Sequence, residues 1–578
     1  MKNYVLLLLL LPWCLQGQAL FTKVTDAANP AVNFTNTAAP YKGVAWIDLD
    51  DDNRPDLFVC QQFLFHNLGD GQFAQLPNVN GASGGQVAAG SSWGDIDNDG
   101  HPDCITATLS SALILNNGDN TFTPHTSALS GFTNYSAWDC AMADVDNNGR
   151  LDLLFVHANG FHTTGPFTCR LFLQQTDGTF QAVTGYEFTD QLAPYTVPVW
   201  ADFDLDGDMD LFIASGPAGT PGADFCYKNM LNETGTFSFQ RLKSAPFNIL
   251  EDGQTYNFPD YDNDGRLDIC LTNYTGAKNR LWHNVNGSYI SVATPFTADL
   301  GPHLANAWGD MNNDGFLDVL VTSDASAAVL YYQNNGDGTF QQAQTAGSTG
   351  DNICGIALAD YDNDGDLDFY TNGAGQGRAL FRNDQLAGNN AWAAFTLQGV
   401  QSNRSAIGAT IRIKSVLRGA DMWQTRQVLA HNSFQSQHDI RQHFGLADAG
   451  MIDSVEVIWP SGRVDIFTQV AANHFYKIVE GQGLNQLTGI REPEIDGTLS
   501  ISPNPARTGF DLTSTTPFAG TSYQIQVLDL SGRSVPVRVQ QVANGWHVDC
   551  AESVPAGVYT VRLIIPTHQP VVRLLVKI

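Results

Sequence analysis

The sequence predicts an all-β protein, a seven-bladed β-propeller followed by two smaller β-rich units. Three observations carry this expectation. An acidic loop recurs seven times at near-constant spacing, each loop is flanked by short apolar runs of strand length, and the region has no sustained helical period.

The loop is clearest at Asp260-Tyr-Asp-Asn-Asp-Gly-Arg-Leu-Asp268, with carboxylates at positions one, three, five and nine and Gly265 at six. Its first position recurs at Asp48, Asp95, Asp144, Asp202, Asp260, Asp310 and Asp360, at spacings of 47, 49, 58, 58, 50 and 50 residues. That is the size of a four-stranded propeller blade. Two places ahead of each first Asp stands a large residue in a run of small ones: Trp46, Trp93, Met142, Trp200, Phe258, Trp308 and Leu358. Small residues suit innermost strands crowded around a channel. Apolar runs such as Leu153-Leu-Phe-Val follow the loops, and glycine-rich turns such as Asn335-Gly-Asp-Gly-Thr-Phe340 come later, as hairpins require. The seventh repeat stops after Ala379-Leu-Phe-Arg-Asn383 with no outer strand. Phe21-Thr-Lys-Val-Thr25 matches Phe180-Gln-Ala-Val-Thr184 and is expected to supply it, closing the ring without free sheet edges. Repeats three and four carry insertions, His157–Phe167 and Ser215–Gly222, where recognition could sit.

Four carboxylates on a tight loop converge on one point, and hard oxygen donors at this density suit Ca²⁺ rather than a transition metal. The candidate ligands are Asp48, Asp50, Asp52 and Asp56; Asp95, Asp97, Asp99 and Asp103; Asp144, Asp146, Asn148 and Asp152; Asp202, Asp204, Asp206 and Asp210; Asp260, Asp262, Asp264 and Asp268; Asp310, Asn312, Asp314 and Asp318; Asp360, Asp362, Asp364 and Asp368. Position six is Gly except for Asn53, which also tolerates a left-handed backbone. An EF-hand would need an acidic residue at position twelve, and Val59, Thr106, Phe155, Ile213, Leu271, Val321 and Thr371 exclude it. Up to seven Ca²⁺ are expected, mainly structural, which would take the formal charge from −30 to −16.

With 59 acidic against 29 basic residues, nucleic acid and anionic membrane surfaces are excluded as partners. Residues 1–19, a basic tip, an apolar run and Gly17-Gln-Ala19, read as a secretory signal. Trp13 argues against a lipoprotein box at Cys14, and the mature chain has no transmembrane segment. The remaining eight cysteines read as buried small hydrophobes, with Cys169 and Cys226 as the pair to test for a disulfide. The propeller is expected over 20–389 and a second unit, rich in Gln424, Gln427, Gln435, Gln437 and Gln442, over 390–482. A polar linker follows at 483–497 and a third unit at 498–578.

No GxSxG, HExxH, phosphate-cradling glycine loop or partnered nucleophilic cysteine is present. The leading expectation is adhesion or ligand binding, with a glycan or an extracellular or surface protein as partner. The alternative is an exported polysaccharide-active lyase or hydrolase with its site on a propeller face, for which His157, His162 and Arg170 are the candidates. A purely structural surface protein is the third reading.

The repeated Asp-x-Asp-x-Asp-Gly-x-x-Asp loop between strands resembles the FG-GAP (VCBS-like) repeats of integrin-type propellers, which implies Ca²⁺ in these loops and roles in adhesion. Ser402-Asn-Arg404, Ala406-Ile-Gly-Ala409, Ser433-Phe-Gln-Ser-Gln437, His443-Phe-Gly-Leu446 and Val457-Ile-Trp-Pro-Ser-Gly462 resemble the ASPIC/UnbV module of cartilage-acidic-protein-like proteins, although Ala447 stands where the family often has Gly. It implies a β-sandwich-like domain in which Arg404 and Trp459 are core and turn residues or touch a ligand. Ser502-Pro-Asn-Pro505, Leu528-Asp-Leu-Ser-Gly-Arg533, Pro555-Ala-Gly-Val-Tyr559 and Arg573-Leu-Leu-Val-Lys-Ile578 resemble the small Ig-like sorting domain of type IX secretion substrates. That resemblance implies the type IX machinery as a partner, export across an outer membrane and a cell-surface or extracellular location.

Overall fold

In the computed structural model the acidic repeats become seven four-stranded antiparallel sheets. The structure describes residues 21–487 apart from 34–42, 60–62, 70, 78, 80–89, 130, 133–134, 160–165, 217–221, 275, 348–351, 375–376 and 385–389, together with the strands within 500–577. The first sheet is Val44–Ile47, Asp56–Val59, Phe63–Gly69 and Gln72–Gln75, and the later repeats copy it. First strands lie beside first strands around a propeller-like ring, and Ile353–Ala359 of the last sheet returns to Val44–Ile47. Trp46 seals that junction. It is fully buried, stacks on Tyr361 at 6.0 Å and donates its indole N–H to Ala357 O at 3.2 Å.

The chain's own start supplies the fourth strand of the last sheet. Phe21–Lys23 pairs with Ala379–Asn383, Phe21 opposite Asn383 and Lys23 opposite Phe381. Phe21 is held edge-on to Phe369 at 5.0 Å and Tyr331 at 5.5 Å. These apolar contacts anchor a three-residue strand that backbone bonds alone would not hold.

Residues 391–486 form two further four-stranded sheets. One runs Gln442–Ala447, Ala391–Gln398, His474–Val479, Gly483–Gln486, and the other Ala420–Gln427, Thr410–Leu417, Met451–Ile458, Val464–Ala471. The strand Gly483–Gln486 corrects the expected boundary. It pairs with His474–Val479, so the first residues of the supposed linker complete a sheet. The ring and this module make one compact unit, 1–486. They share a core in which Ile96, Leu151 and Phe155 of the ring join Phe395, Ile411, Val457 and Trp459 of the module.

The expected central channel is filled by the module. Residues 430–438 run among the first strands of the ring. Gln437 pairs with Ala45, its side chain accepts from Trp93 N–H at 2.8 Å and donates to Trp93 O at 3.2 Å, and Ser436 Oγ accepts from Val44 N–H at 3.1 Å. His431 meets the buried Asp139 at 3.1 Å, and Asn432 O accepts from Asn257 at 3.1 Å. The glutamines therefore serve as amide clamps. Gln427 donates to Asp202 O at 2.8 Å and Gln435 to Trp138 O at 3.3 Å. Small side chains on the ring's inner strands leave room for this segment, as at Gly43, where a Cβ would lie 1.4 Å from Gln435 O.

The C-terminal unit, 487–578, has a four-stranded and a three-stranded sheet around Phe510, Leu512, Val527, Trp546, Val548, Tyr559 and Val561. The motifs at 503–505 and 529–533 lie outside the described residues. Cys169 and Cys226, the pair singled out for a disulfide test, are both buried and not bonded to each other, in keeping with the reading of the cysteines as buried small hydrophobes, and Cys60 lies outside the described residues.

Candidate metal centre

Each acidic loop joins the first strand of its sheet to the second, and backbone donors shape it. Asp95 shows the grip on position one, Oδ1 accepting from Asp99 N–H at 3.0 Å and Oδ2 from Gly100 N–H at 2.8 Å. The same pair holds Asp48, Asp144, Asp202, Asp310 and Asp360. In the fifth loop Gly265 N–H is shared by both oxygens of Asp260, at 3.2 and 3.3 Å. Such geometry needs a left-handed turn, which Gly100 (φ 104°) provides in the second loop and Asn53 (φ 65°) in the first. Position five accepts from the position-seven N–H in every loop, as Asp264 does from Arg266 at 3.0 Å.

Position nine is tied to the third strand. Asp268 Oδ1 accepts from Asn284 N–H at 2.7 Å, and the equivalent donors are Asn67, Asn116, Gln174, Asn229, Asn334 and Asn383. Several of these side-chain amides cross to the neighbouring sheet's loop, Asn334 to Tyr261 O and Asn383 to Met311 O, both at 2.8 Å. Sequence reasoning missed this amide. An Asn or Gln recurs before each later hairpin turn, so the signal was there to be read.

All twenty-eight predicted positions gather into seven loops at one end of the ring, and burial raises the pKa values of the most enclosed carboxyls. Asp144 and Asp260 are pushed up to about 7, Asp103, Asp202 and Asp310 to about 8 and Asp268 to about 9, by burial first and, for most of them, by neighbouring carboxylates as well. Two position-three oxygens, Asp146 Oδ1 and Asp362 Oδ1, are buried with no hydrogen-bond donor. Asp144, Asp146 and Asp152 each bring one oxygen to within 4.8 Å of the others, as do Asp48, Asp50 and Asp52 and also Asp95, Asp97 and Asp99. Unsatisfied, converging carboxylate oxygens fit a hard cation. Loop four does not fit in the same way, because the ammonium of Lys228 stands between Asp204 and Asp206.

These shifts predict a pH dependence for the protein without metal. A carboxyl neutral in the fold but ionised in the unfolded chain favours folding at low pH and loses that advantage as pH rises through its folded pKa. Metal-free protein should therefore lose stability from about pH 4 up to about pH 9, by up to ~1.4 kcal/mol per pH unit for each such carboxyl until its own folded pKa is passed. Denaturant titrations in chelator at pH 6 and pH 9 test this, and equal stability at both would refute it.

A second device links the loops. Asn147 Nδ2 donates to Gly207 O at 2.9 Å, Asn263 to Gly315 O at 2.8 Å, Asn313 to Gly365 O at 3.2 Å and Asn363 to Asn53 O at 3.1 Å. Position four of one loop thus holds position six of the next. Asn263→Ala should cost about 1–2 kcal/mol, combining a lost buried bond with a left-handed alanine, read as a lowered urea midpoint at unchanged m.

The module lies over these loops. Arg404 approaches Asp95 Oδ2 at 3.4 Å, Arg418 meets Asp314 at 3.3 Å, and Lys477 holds both oxygens of Asp51 at 2.8 Å. Arg426 is half-buried near Asp260 and Asp310, its pKa pushed down to about 10 by desolvation. His443 Nε2 lies 2.9 Å from Gly365 O. Arg404 is thus a strap onto the ring, and Trp459 is a core residue whose indole N–H donates to Asp465 at 2.9 Å. The histidine candidates fare differently. His157 is fully buried, 5.2 Å from the Phe167 ring, which removes it from any solvent-facing acid–base pair with Arg170, and His162 lies outside the described residues.

Residues 399–485 match the family "ASPIC and UnbV", and 61–106, 108–155, 260–321 and 310–371 match the FG-GAP-like repeat. The chain is 25% identical over 367 residues to cartilage acidic protein 1 of Xenopus tropicalis, covering 62% of this chain and 46% of that protein, so it spans less than half of that relative. Solved structures similar to it include a protein of Lactobacillus plantarum (11% identity, TM-score 0.35, 56% of this chain and 89% of that one). A gluconolactonase of Xanthomonas campestris is similar at 11% identity and TM-score 0.30, over 60% of this chain and 98% of that one. At such scores neither likeness bears on what this chain does. The chain carries FG-GAP-like repeats and an ASPIC/UnbV domain.

Proposed function

We propose that this chain is an exported, calcium-stabilised binding protein, a seven-bladed propeller whose Ca²⁺ ions are structural and whose ligand is a glycan or an extracellular or surface protein. One observation carries the reading: the acidic loops are preformed by backbone donors, yet the face they occupy is covered by the module. A cation there holds the scaffold together, with little room for a substrate. Recognition falls to the other end of the ring, where the connections from Val156 and Ser215 to the third strands leave the sheets, since antiparallel strands put these connections opposite the acidic loops.

The C-terminal unit serves in this reading as the address for type IX export and surface delivery. The test is a glycan and matrix-protein binding screen, run beside a polysaccharide-turnover assay, on the mature protein with and without Ca²⁺. Saturable binding without turnover supports the proposal. New reducing ends or unsaturated products would replace it with the polysaccharide-active enzyme.

A further inference from the structure

Loop four carries its own cation. The residue before the third-strand amide is Leu115, Leu173 and Gln333 in repeats two, three and six, side chains that bring no charge to the loop. In repeats one and five it is His66 and His283, imidazoles that meet the position-nine Asp56 and Asp268 at 3.0 and 3.1 Å, and in repeat seven Arg382, which pairs with Asp384 at 2.6 Å. In repeat four it is Lys228. Its ammonium contacts Asp204 Oδ2, lies 3.0 Å from Asp206 Oδ2 and reaches Glu233 Oε1. Asp202 and Asp210 are already held by backbone N–H groups, as in the other loops. The oxygens of positions three and five are therefore the ones left to face a metal, and the lysine takes both.

Two further departures belong to the same repeat. A helical turn, Leu231–Thr234, follows the third strand and brings Glu233 to the ammonium and Asn232 to the loop. Asn232 Nδ2 donates to Asp206 O at 2.7 Å, and its backbone N–H donates to Asp208 Oδ2 at 2.8 Å. Position four is Leu205, which has no amide to pass to the next loop as Asn147, Asn263, Asn313 and Asn363 do. Loop four is thus closed from above by Lys228, Asn232 and Glu233.

We infer that Lys228 stands in for the metal, so that loop four is held by an internal ammonium and takes no Ca²⁺ while the other loops do. A divalent ion at the same carboxylates would sit within a few ångströms of a fixed positive charge and would have to displace it. Lysine, a compact point charge with three donors, suits such a position. The inference rests on the calcium reading of the remaining loops.

The test counts bound calcium per chain by mass spectrometry of metals after chelation and re-equilibration, for the wild type, Lys228→Gln, Lys228→Arg and Asp204→Asn/Asp206→Asn. Lys228→Gln should bind one Ca²⁺ more than the wild type. Lys228→Arg and the double Asn variant should match the wild type. Melting in excess chelator checks folding: Lys228→Gln should melt lower than the wild type there and recover in Ca²⁺, whereas a merely misfolded variant would not recover. An unchanged count in Lys228→Gln, or a count lowered by one in the double Asn variant, overturns the inference and leaves the calcium reading standing. A wild type that binds no calcium at all overturns both.

Discussion

Chelating calcium from the mature protein is expected to lower its melting temperature by about 10 °C. A ligand that binds only the folded state, at roughly twenty times its Kd, stabilises by about 2 kcal/mol per site, so six loops give on the order of 10 kcal/mol. Sites of Kd about 10⁻⁴ M reach that ratio at millimolar extracellular calcium. For a unit of this size, ~1 kcal/mol moves Tm by about 1 °C. Asp262→Ala should remove one loop's share, and its Tm should fall less than the wild type's on chelation. Differential scanning calorimetry with and without chelator measures both. A melting curve unchanged in excess chelator would remove the metal from this account.

Arg441→Ala is expected to cost about 3–5 kcal/mol and to loosen the module from the ring. The guanidinium donates to Asn363 Oδ1 at 2.8 Å, Asp360 O at 2.7 Å and Asn53 O at 3.3 Å, and pairs with Asp439 at 3.2 Å. It also stands over the Phe475 ring at 4.7 Å. Its side chain is 6% exposed and that of Asp439 9%, so truncation leaves a buried carboxylate without its cation. Arg441→Lys should recover little, because an ammonium cannot span loops one and seven with a planar fork. Urea unfolding followed by tryptophan fluorescence reads the loss. A wild-type midpoint in Arg441→Ala would mean that the module's attachment rests on its apolar core instead.

The repeats were legible because they obey local rules. Carboxylates at alternate positions, a left-handed residue at six and apolar runs on either side are short-range constraints, and each copy states them again. The outer strand of the last sheet was legible too, since Phe21-Thr-Lys copies the pattern of Phe180-Gln-Ala. The strap residues were not. Nothing near Arg404, Arg426 or Arg441 in the chain hints at acidic loops some 80 to more than 300 positions away. Gln437 reads as one more glutamine until Trp93 is set beside it.

The sequence by itself determined the strands, the seven acidic loops and the chemistry of their oxygen donors, because periodicity and turn residues act over a few positions. Only the tertiary structure decided that the module fills the ring's centre and covers the loop face, and that Lys228 enters loop four. Those outcomes depend on which buried charges and amides find partners from distant segments, and burial makes an unpaired one too costly to leave.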